Sequence, residues 1–204
     1  MKFRLHPVLI PVFLFLIVTG NLSTYTLVLL SLLIHEAGHL IAARLTGMRV
    51  RSCTIMPYGG ELVIPNRHAA RRRNRVYLAL GGPAATMILL FVAFAFSFPG
   101  NDLVVKIQLV LLALNLLPIL PLDGGQALAA VLEKKGAKYG ARVAMLVHSM
   151  VTLSAIIVLL TFSLPETMPY LLLALFLLFQ NIMAFRFRRY EKAYENIKIN
   201  KLTK

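Results

Sequence analysis

Long apolar segments recur along this chain, and their length decides what it can fold into. A helix rises 1.5 Å per residue, so about 20 apolar residues cross the ~30 Å hydrocarbon core of a bilayer. With 58% hydrophobic residues and a mean hydropathy of +0.75, the 204-residue chain is too apolar for a soluble domain. The sequence therefore predicts an all-α integral membrane protein with six transmembrane helices, at approximately Pro7–Gly20, Tyr25–Arg44, Val76–Phe98, Val104–Leu120, Ala141–Phe162 and Thr167–Phe187.

The first of these segments is short, and its basic flank also fits a signal peptide. Lys2 and Arg4 precede the apolar run, as in the positively charged start of a secretory signal. The residues Val18 to Gly20 match the small-x-small cleavage pattern only weakly. We therefore expect a retained helix. Cleavage would leave the orientation of the other five segments unchanged.

The basic residues predict how the chain lies in the membrane. With both termini in the cytoplasm, every one of the 22 Lys and Arg residues except Lys106 falls on the cytoplasmic side. Such asymmetry sets membrane topology through the positive-inside rule. We expect a transmembrane domain over residues 1–190 and a basic cytoplasmic tail over residues 191–204.

The net charge of +14 also suggests a polyanionic partner. Its densest cluster, Arg67–Arg75, lies between two apolar segments, without interleaved aromatic residues or a nucleic-acid-binding motif. This placement favours anionic lipid headgroups over nucleic acid, and no nucleic acid partner is expected. The single cysteine, Cys53, excludes an internal disulfide and a Cys-rich metal cluster.

The stretch SLLIHEAGHLIAARL sets ionisable side chains inside the second apolar segment. His35 and His39 lie four residues apart, so on a helix their imidazoles share one face and can chelate one metal ion. Glu36 lies about 100° around the helix, beside that face, where it can act as a general base toward a metal-activated water. Each charged residue in a transmembrane helix costs about 2.5–3.5 kcal/mol, which favours a functional site over a satisfied buried pair.

Other classes of membrane protein also place histidine ligands inside transmembrane helices. A divalent-metal transporter is the main alternative, but it needs no general base and usually repeats its site across an internal repeat. No repeat is visible in this sequence. A di-iron membrane oxygenase needs many more histidines than the five present. An inactive adaptor would not need Glu36.

A third metal ligand is expected from the stretch NLLPILPLDGGQAL. Pro118 and Pro121 remove backbone donors, and the glycine pair after Asp123 permits a tight turn, so the helix should break here. Broken backbone at membrane depth is tolerated only where protein or a wet cavity surrounds it. An aspartate at such a break can reach a metal. The alternative is an Asp–Gly turn that closes the segment at the membrane surface.

Two further stretches predict local structure. TIMPYGGELVIP (Thr54–Pro65) is apolar and β-prone, with Gly59 and Gly60 between two runs, which predicts a β-hairpin that dips into the membrane. A strand edge there would bind an extended substrate through main-chain hydrogen bonds; a hydrophobic interfacial loop is the alternative. In LALGGPAATM (Leu78–Met87) small residues predict close helix packing, to which we assign no chemistry.

Five motifs together resemble those of the site-2 proteases, the intramembrane zinc metalloproteases of peptidase family M50. They occur in family order over roughly residues 5–190 and are HPVLIP, HEAGH, MPYGGE, GGPAAT and NLLPILPLDGG. Within the family the chain is most similar to the sporulation branch, which cleaves the membrane-associated precursor of a mother-cell sigma factor.

The resemblance implies a bacterial membrane as the location, an activity and a set of site residues. It implies one zinc ion per chain held by His35, His39 and Asp123, with Glu36 activating water. It implies that Asn115 and the loop of Tyr58, Gly59 and Gly60 help to bind a membrane-associated protein substrate near the cytoplasmic face. An inhibitory membrane partner is also expected. Members of the sporulation branch often carry a cytosolic nucleotide-sensing domain, for which the residues 188–204 are too few, so control by ATP is not expected.

Overall fold

The computed structural model describes residues 2–5, 7, 11, 16–20, 22–56, 59–65, 70–96, 100–133 and 138–202. Half of the first predicted transmembrane segment, residues 8–10 and 12–15, lies outside the described residues. The described chain is mostly helical and forms two compact units, Met1–Leu116 and Leu117–Lys204. Each unit is described by itself.

The elements with described bounds in the first unit are a three-stranded sheet and three helices. The strands are β1 (Lys2–Leu5), β2 (Ser52–Met56) and β3 (Gly59–Val63). The helices are α1 (Leu22–Leu45), α2 (Arg72–Ala95) and α3 (Asn101–Leu116). α1 ends where Gly47 adopts a φ of +72° and the Met48 N–H bonds the carbonyl of Ala43. Glycine is favoured at this position because left-handed backbone clashes with a Cβ.

The sheet contains the β-hairpin that the sequence predicts. β2 and β3 pair antiparallel, with Cys53 opposite Leu62 and Met56 opposite Gly59. β1 was not predicted; it pairs parallel with β2 and places Lys2 opposite Ser52. A four-residue strand needs a distant partner to form, so its local sequence is a weak signal. β3 also contacts α1, which joins the sheet to the helices.

α1 and α2 approach closely through glycine, as the small-residue patch predicts. A Cβ built on Gly38 would clash with the Gly81 carbonyl oxygen and lie 2.6 Å from the Cβ of Ala85. A Cβ built on Gly81 would lie 2.7 Å from the Cβ of Ala42. Only bare backbone fits this crossing, and membrane helices commonly pack through such contacts.

A buried polar pair joins α3 to α1. Nε2 of Gln108 donates a 2.7 Å hydrogen bond to the Ser31 hydroxyl oxygen, and both side chains are buried. Ser31 precedes His35 by one helical turn on the same buried face of α1. The pair therefore fixes α3 beside the half of α1 that carries the histidines.

The second unit consists of helices α4 (Asp123–Leu132), α5 (Lys138–Thr161) and α6 (Met168–Leu202). Its apolar core is formed by Ile119, Leu153, Ala174 and Leu177. The non-helical segment 117–122, here called the break segment, precedes α4. α3 ends at Leu116 because Leu117 precedes Pro118, and a residue before proline disfavours helical backbone. The predicted interruption by proline is thus observed.

Four of the described helices are long and apolar enough to cross a membrane. They are α1, α2, and the segments Tyr139–Thr161 of α5 and Met168–Arg188 of α6. α3 has 16 residues, fewer than a perpendicular helix needs to cross about 30 Å of hydrocarbon. The fold is therefore that of a multi-pass membrane protein, and the prediction of six spans is only partly supported.

Candidate metal centre

His35 and His39 point their Nε2 atoms at one another on the buried face of α1. The two nitrogens lie 3.2 Å apart, and the side chains are only 3% and 7% exposed. The helical repeat produces this arrangement, because residues four apart lie one above the other. The two imidazoles are thus brought together as their spacing predicts.

Thr86 of α2 orients the first of these rings. The Thr86 hydroxyl donates to the Gly82 carbonyl oxygen at 3.2 Å, which leaves its oxygen free to accept. Nδ1 of His35 lies 2.8 Å from that oxygen and donates to it. A neutral imidazole carries one N–H, so Nε2 of His35 is the nitrogen with the lone pair.

Leu78 of α2 orients the second ring in the same way. Nδ1 of His39 lies 2.7 Å from the Leu78 carbonyl oxygen, and the Gly82 N–H points at the same nitrogen from 3.2 Å. The carbonyl can only accept, so His39 must carry its proton on Nδ1. The shorter contact therefore determines the tautomer, and Nε2 of His39 also presents a lone pair.

Two buried lone pairs that face one another at 3.2 Å repel unless a cation lies near both. Tetrahedral zinc with Zn–N bonds of about 2.0–2.1 Å separates two nitrogen ligands by roughly 3.3 Å. Metal-binding histidines also usually donate their second N–H to a carbonyl or another protein oxygen, as both rings do here. The residues present therefore fit a zinc ion.

Gly82 leaves space directly beside the two imidazoles. A Cβ built on Gly82 would clash with Nε2 of His39 and lie 2.5 Å from Nε2 of His35. Any side chain at this position would enter the space that both nitrogens face. The absence of a side chain on Gly82 thus keeps the site open.

Glu36 influences the ionisation of a thiol in the sheet. Burial, and secondly the charge of the Glu36 carboxylate, raise the pKa of the Cys53 thiol in β2. Cys53 is buried and is a free cysteine. The helix that carries the predicted general base also contacts β3 of the hairpin. The side chain of Glu36 is itself partly exposed.

The other predicted site residues belong to other elements of the chain. Asp123 is the first residue of α4 and is 8% exposed. Asn115 lies near the end of α3, where its side chain donates a 3.0 Å hydrogen bond to the Leu111 carbonyl oxygen. Gly59 and Gly60 begin β3, whereas Tyr58 lies outside the described residues.

Sequence reasoning did not find the α2 contribution to this site. Thr86, Gly82 and the main chain of Leu78 all contact the histidines, yet GGPAAT was interpreted as helix packing alone. One signal was available: a threonine lies four residues after Gly82 on one face of an apolar segment. The partner that this face meets is visible only in the folded chain.

A helical H-E-x-x-H pair, with each imidazole oriented by a hydrogen bond from its outer nitrogen, defines the class of metallopeptidase-type metal centres. Residues 23–108 match the model of Peptidase family M50 and include both histidines and Glu36. The matched region thus resembles this family, as the motifs predict.

Curated proteins are similar to this chain over about half of their own length. The chain is 28% identical over 141 residues to Stage IV sporulation protein FB of Bacillus subtilis, covering 66% of this chain and 49% of that protein. It is 27% identical over 184 residues to a zinc metalloprotease of Methanocaldococcus jannaschii, covering 85% of this chain and 52% of that protein. The chain thus spans about half the length of these curated relatives.

The fold is shared with a solved membrane protease. The site-2 protease from Methanocaldococcus jannaschii superimposes with a TM-score of 0.64 over 90% of both chains, at 22% identity. At this identity the likeness concerns the fold alone, and the predicted site-2 protease fold is supported.

Proposed function

We propose that this protein is an intramembrane zinc endopeptidase that cleaves a membrane-associated protein near the cytoplasmic face. One observation carries the proposal: the Nε2 lone pairs of His35 and His39 converge at 3.2 Å, and Glu36 follows His35 directly in the chain. A metal transporter needs ligands but no adjacent base, so Glu36 favours the hydrolytic function.

His35, His39 and Asp123 are proposed to hold one zinc ion. Catalytic zinc sites commonly use three protein ligands and keep a fourth position open. Asp123 is suited to this role because its carboxylate is buried and begins a helix, where the helix dipole favours a negative charge. Zinc in this site supplies Lewis acidity, which polarises a peptide carbonyl and acidifies water.

Glu36 is proposed as the catalytic base. Its carboxylate accepts the proton of the attacking water and then delivers that proton to the leaving amine nitrogen, so no net proton is consumed at the side chain. Its place beside the ligand face of α1 gives it a different direction from both imidazoles. Thr86 and Leu78 keep those imidazoles in the tautomer that presents Nε2.

The hairpin is proposed to hold the substrate as an added strand. Its strand β3 contacts α1, the helix that carries Glu36, and lies at an edge of the sheet formed by the described strands. Edge strands bind extended peptides through main-chain hydrogen bonds. We assign Gly59, Gly60 and Tyr58 of the hairpin, together with Asn115, to substrate binding. A substrate helix must unwind before its peptide bonds become accessible.

The similarity to Stage IV sporulation protein FB supports a finer proposal about the substrate. We propose a membrane-anchored precursor of a regulatory protein, such as a sporulation sigma factor, as its class. An inhibitory membrane partner is proposed as the means of control. Because the curated relatives extend well beyond the matched region, the natural substrate needs a direct screen.

The proposed topology has six spans with both termini in the cytoplasm. The arginines at the start of α2 then lie at the cytoplasmic surface, where anionic headgroups attract them. His39 lies five residues before Arg44, roughly 7–8 Å along the helix. The metal therefore lies in the cytoplasmic half of the bilayer, and cleavage releases the cytosolic part of the substrate.

The function is tested with a membrane-anchored substrate co-expressed with wild-type protein, Glu36→Gln, His35→Ala or His39→Ala. Glu36→Gln should retain about one zinc per chain and leave the substrate intact, because it removes only the base. Both histidine variants should lose zinc and cleavage, whereas His148→Ala in α5, which carries an exposed side chain, should lose neither. Cleavage by Glu36→Gln at the wild-type rate would overturn the proposal.

A further inference from the structure

The break segment exposes main-chain groups that need partners. Leu120 lies between Pro118 and Pro121, outside any helix, so its N–H and C=O have no helical partner. In a chain that spans a membrane, water is scarce at this depth, and such groups must be satisfied by protein. The structure shows which side chains do this.

Ser149 and Asn181 hold the two polar groups of Leu120, and we call these two side chains the Leu120 clamp. The Ser149 hydroxyl oxygen of α5 accepts a 2.8 Å hydrogen bond from the Leu120 N–H. Nδ2 of Asn181 in α6 donates to the Leu120 carbonyl oxygen. The two side chains are 0% and 1% exposed, and Leu120 itself is half-buried.

Each clamp side chain is also anchored to its own helix. The Ser149 hydroxyl donates to the Met145 carbonyl oxygen at 2.7 Å, and Nδ2 of Asn181 donates to the Leu177 carbonyl oxygen at 2.8 Å. The main chain of Leu120 is therefore held in place by side chains that are themselves bonded to the main chains of α5 and α6.

The position of Leu120 in turn determines that of Asp123. A Cβ built on Gly125 would clash with the Ile119 carbonyl group and lie 2.7 Å from the Leu120 nitrogen. The first turn of α4 thus packs directly against the break segment, and Asp123 begins that turn. A shift of Leu120 would move the carboxylate with it.

The clamp is poorly explained by helix packing alone. Oδ1 of Asn181 is buried and has no hydrogen-bond partner in the described part of the chain. A buried polar atom without a partner is destabilising, and a leucine would fill such a position without this cost. The side chain is therefore suited to the bond that its amide donates to Leu120.

From this geometry we propose that Ser149 and Asn181 are positioning residues for Asp123. They hold the break segment so that the carboxylate has the fixed geometry that metal binding needs. The inference rests on the proposed function, since it assumes that Asp123 is a zinc ligand. Removal of a residue that orients a metal ligand without touching the metal typically weakens metal binding by 10–100-fold.

The test measures zinc affinity of the purified full-length chain by competition with a chelator. Asn181→Leu and Ser149→Ala should each weaken zinc binding about tenfold or more. The matched control is Thr167→Val. Thr167 directly precedes α6, and its hydroxyl donates to the main-chain carbonyl of Leu160 in α5, so this bond also joins a side chain to main chain but does not involve the break segment. Thr167→Val should bind zinc as the wild type does.

A double-mutant cycle with Asp123→Ala separates positioning from general damage. If the clamp acts through Asp123, Asn181→Leu should weaken zinc binding no further when Asp123 is already alanine. An equal further loss in that background, or wild-type affinity in both clamp variants, would overturn the inference. If Asn181→Leu does not fold, the same comparison is made with Ser149→Ala in the wild-type and Asp123→Ala backgrounds.

The same measurements distinguish this inference from the proposed function. Wild-type zinc affinity in Asp123→Ala alone would remove Asp123 from the metal site and overturn both. A large loss in Asp123→Ala with no effect of the clamp variants would overturn the clamp inference and leave the proposed ligand set in place.

Discussion

Thr86 and His35 are joined by a 2.8 Å hydrogen bond that connects α2 to α1. The bond determines which imidazole nitrogen carries the proton, because the Thr86 hydroxyl already donates to the Gly82 carbonyl. Thr86, which is not a proposed metal ligand, thus leaves Nε2 of His35 with the lone pair that a metal needs. This second layer of contacts can be tested separately from the proposed ligands.

Thr86→Val should weaken zinc binding about 10–100-fold, because it keeps the side-chain shape and removes the acceptor of the His35 Nδ1–H. Thr86→Ser restores the hydroxyl and should recover most of the affinity. Zinc competition assays on the purified variants provide the measurement. Equal affinities of the valine and serine variants would contradict an orienting role for the hydroxyl.

Gly82→Ala should abolish zinc binding, because the added methyl group enters the space between the two Nε2 atoms. Gly81→Ala is the matched control, since its methyl group meets Ala42 and the Gly38 carbonyl oxygen instead. That variant should destabilise the helix pair by about 1–3 kcal/mol through overpacking and keep its zinc. Elemental analysis with thermal unfolding separates the two effects. Equal zinc loss in both variants would mean that general packing, rather than the space at Gly82, controls the site.

Cys53 should react slowly with alkylating reagents at neutral pH, because burial and the Glu36 charge raise the pKa of its thiol. Neutralising Glu36 removes one of the two causes. Glu36→Gln should therefore lower the pKa of the Cys53 thiol and shift the pH profile of alkylation to lower pH. The part of the pKa shift that burial causes should remain. Asp102→Asn removes an exposed carboxylate at the start of α3 and should cause no shift. An unchanged pH profile in Glu36→Gln would show that the Glu36 charge does not act on the Cys53 thiol.

Reporter fusions test the proposed orientation. Fusions after Arg75, Arg142 and Lys204 should report the cytoplasm, and fusions near Asn101 and Glu166 should report the opposite side. The expectation follows from the positions of the basic residues, all cytoplasmic except Lys106. A C-terminus on the external side would exclude the six-span arrangement.

The local chemistry of the site was predictable from sequence because it depends on short-range geometry. The histidines share one turn of α1, and helical periodicity alone requires them to converge. The break before Asp123 follows from Pro118 and Pro121 in the same way. The hairpin was also predictable, since β-prone runs flank its glycine pair. Its predicted role in substrate binding stays a prediction.

The sequence alone was therefore sufficient to predict a membrane protein, the helical arrangement of His35, Glu36 and His39, and the helix broken by proline before Asp123. Tertiary structure decided the contacts between distant segments: β1 beside β2, Thr86 and Leu78 behind the imidazoles, and Ser149 with Asn181 around Leu120. The physical reason is that periodicity shows which face of a helix is buried but not which helix covers it. A hydroxyl or amide on that face finds its partner only when the helices pack.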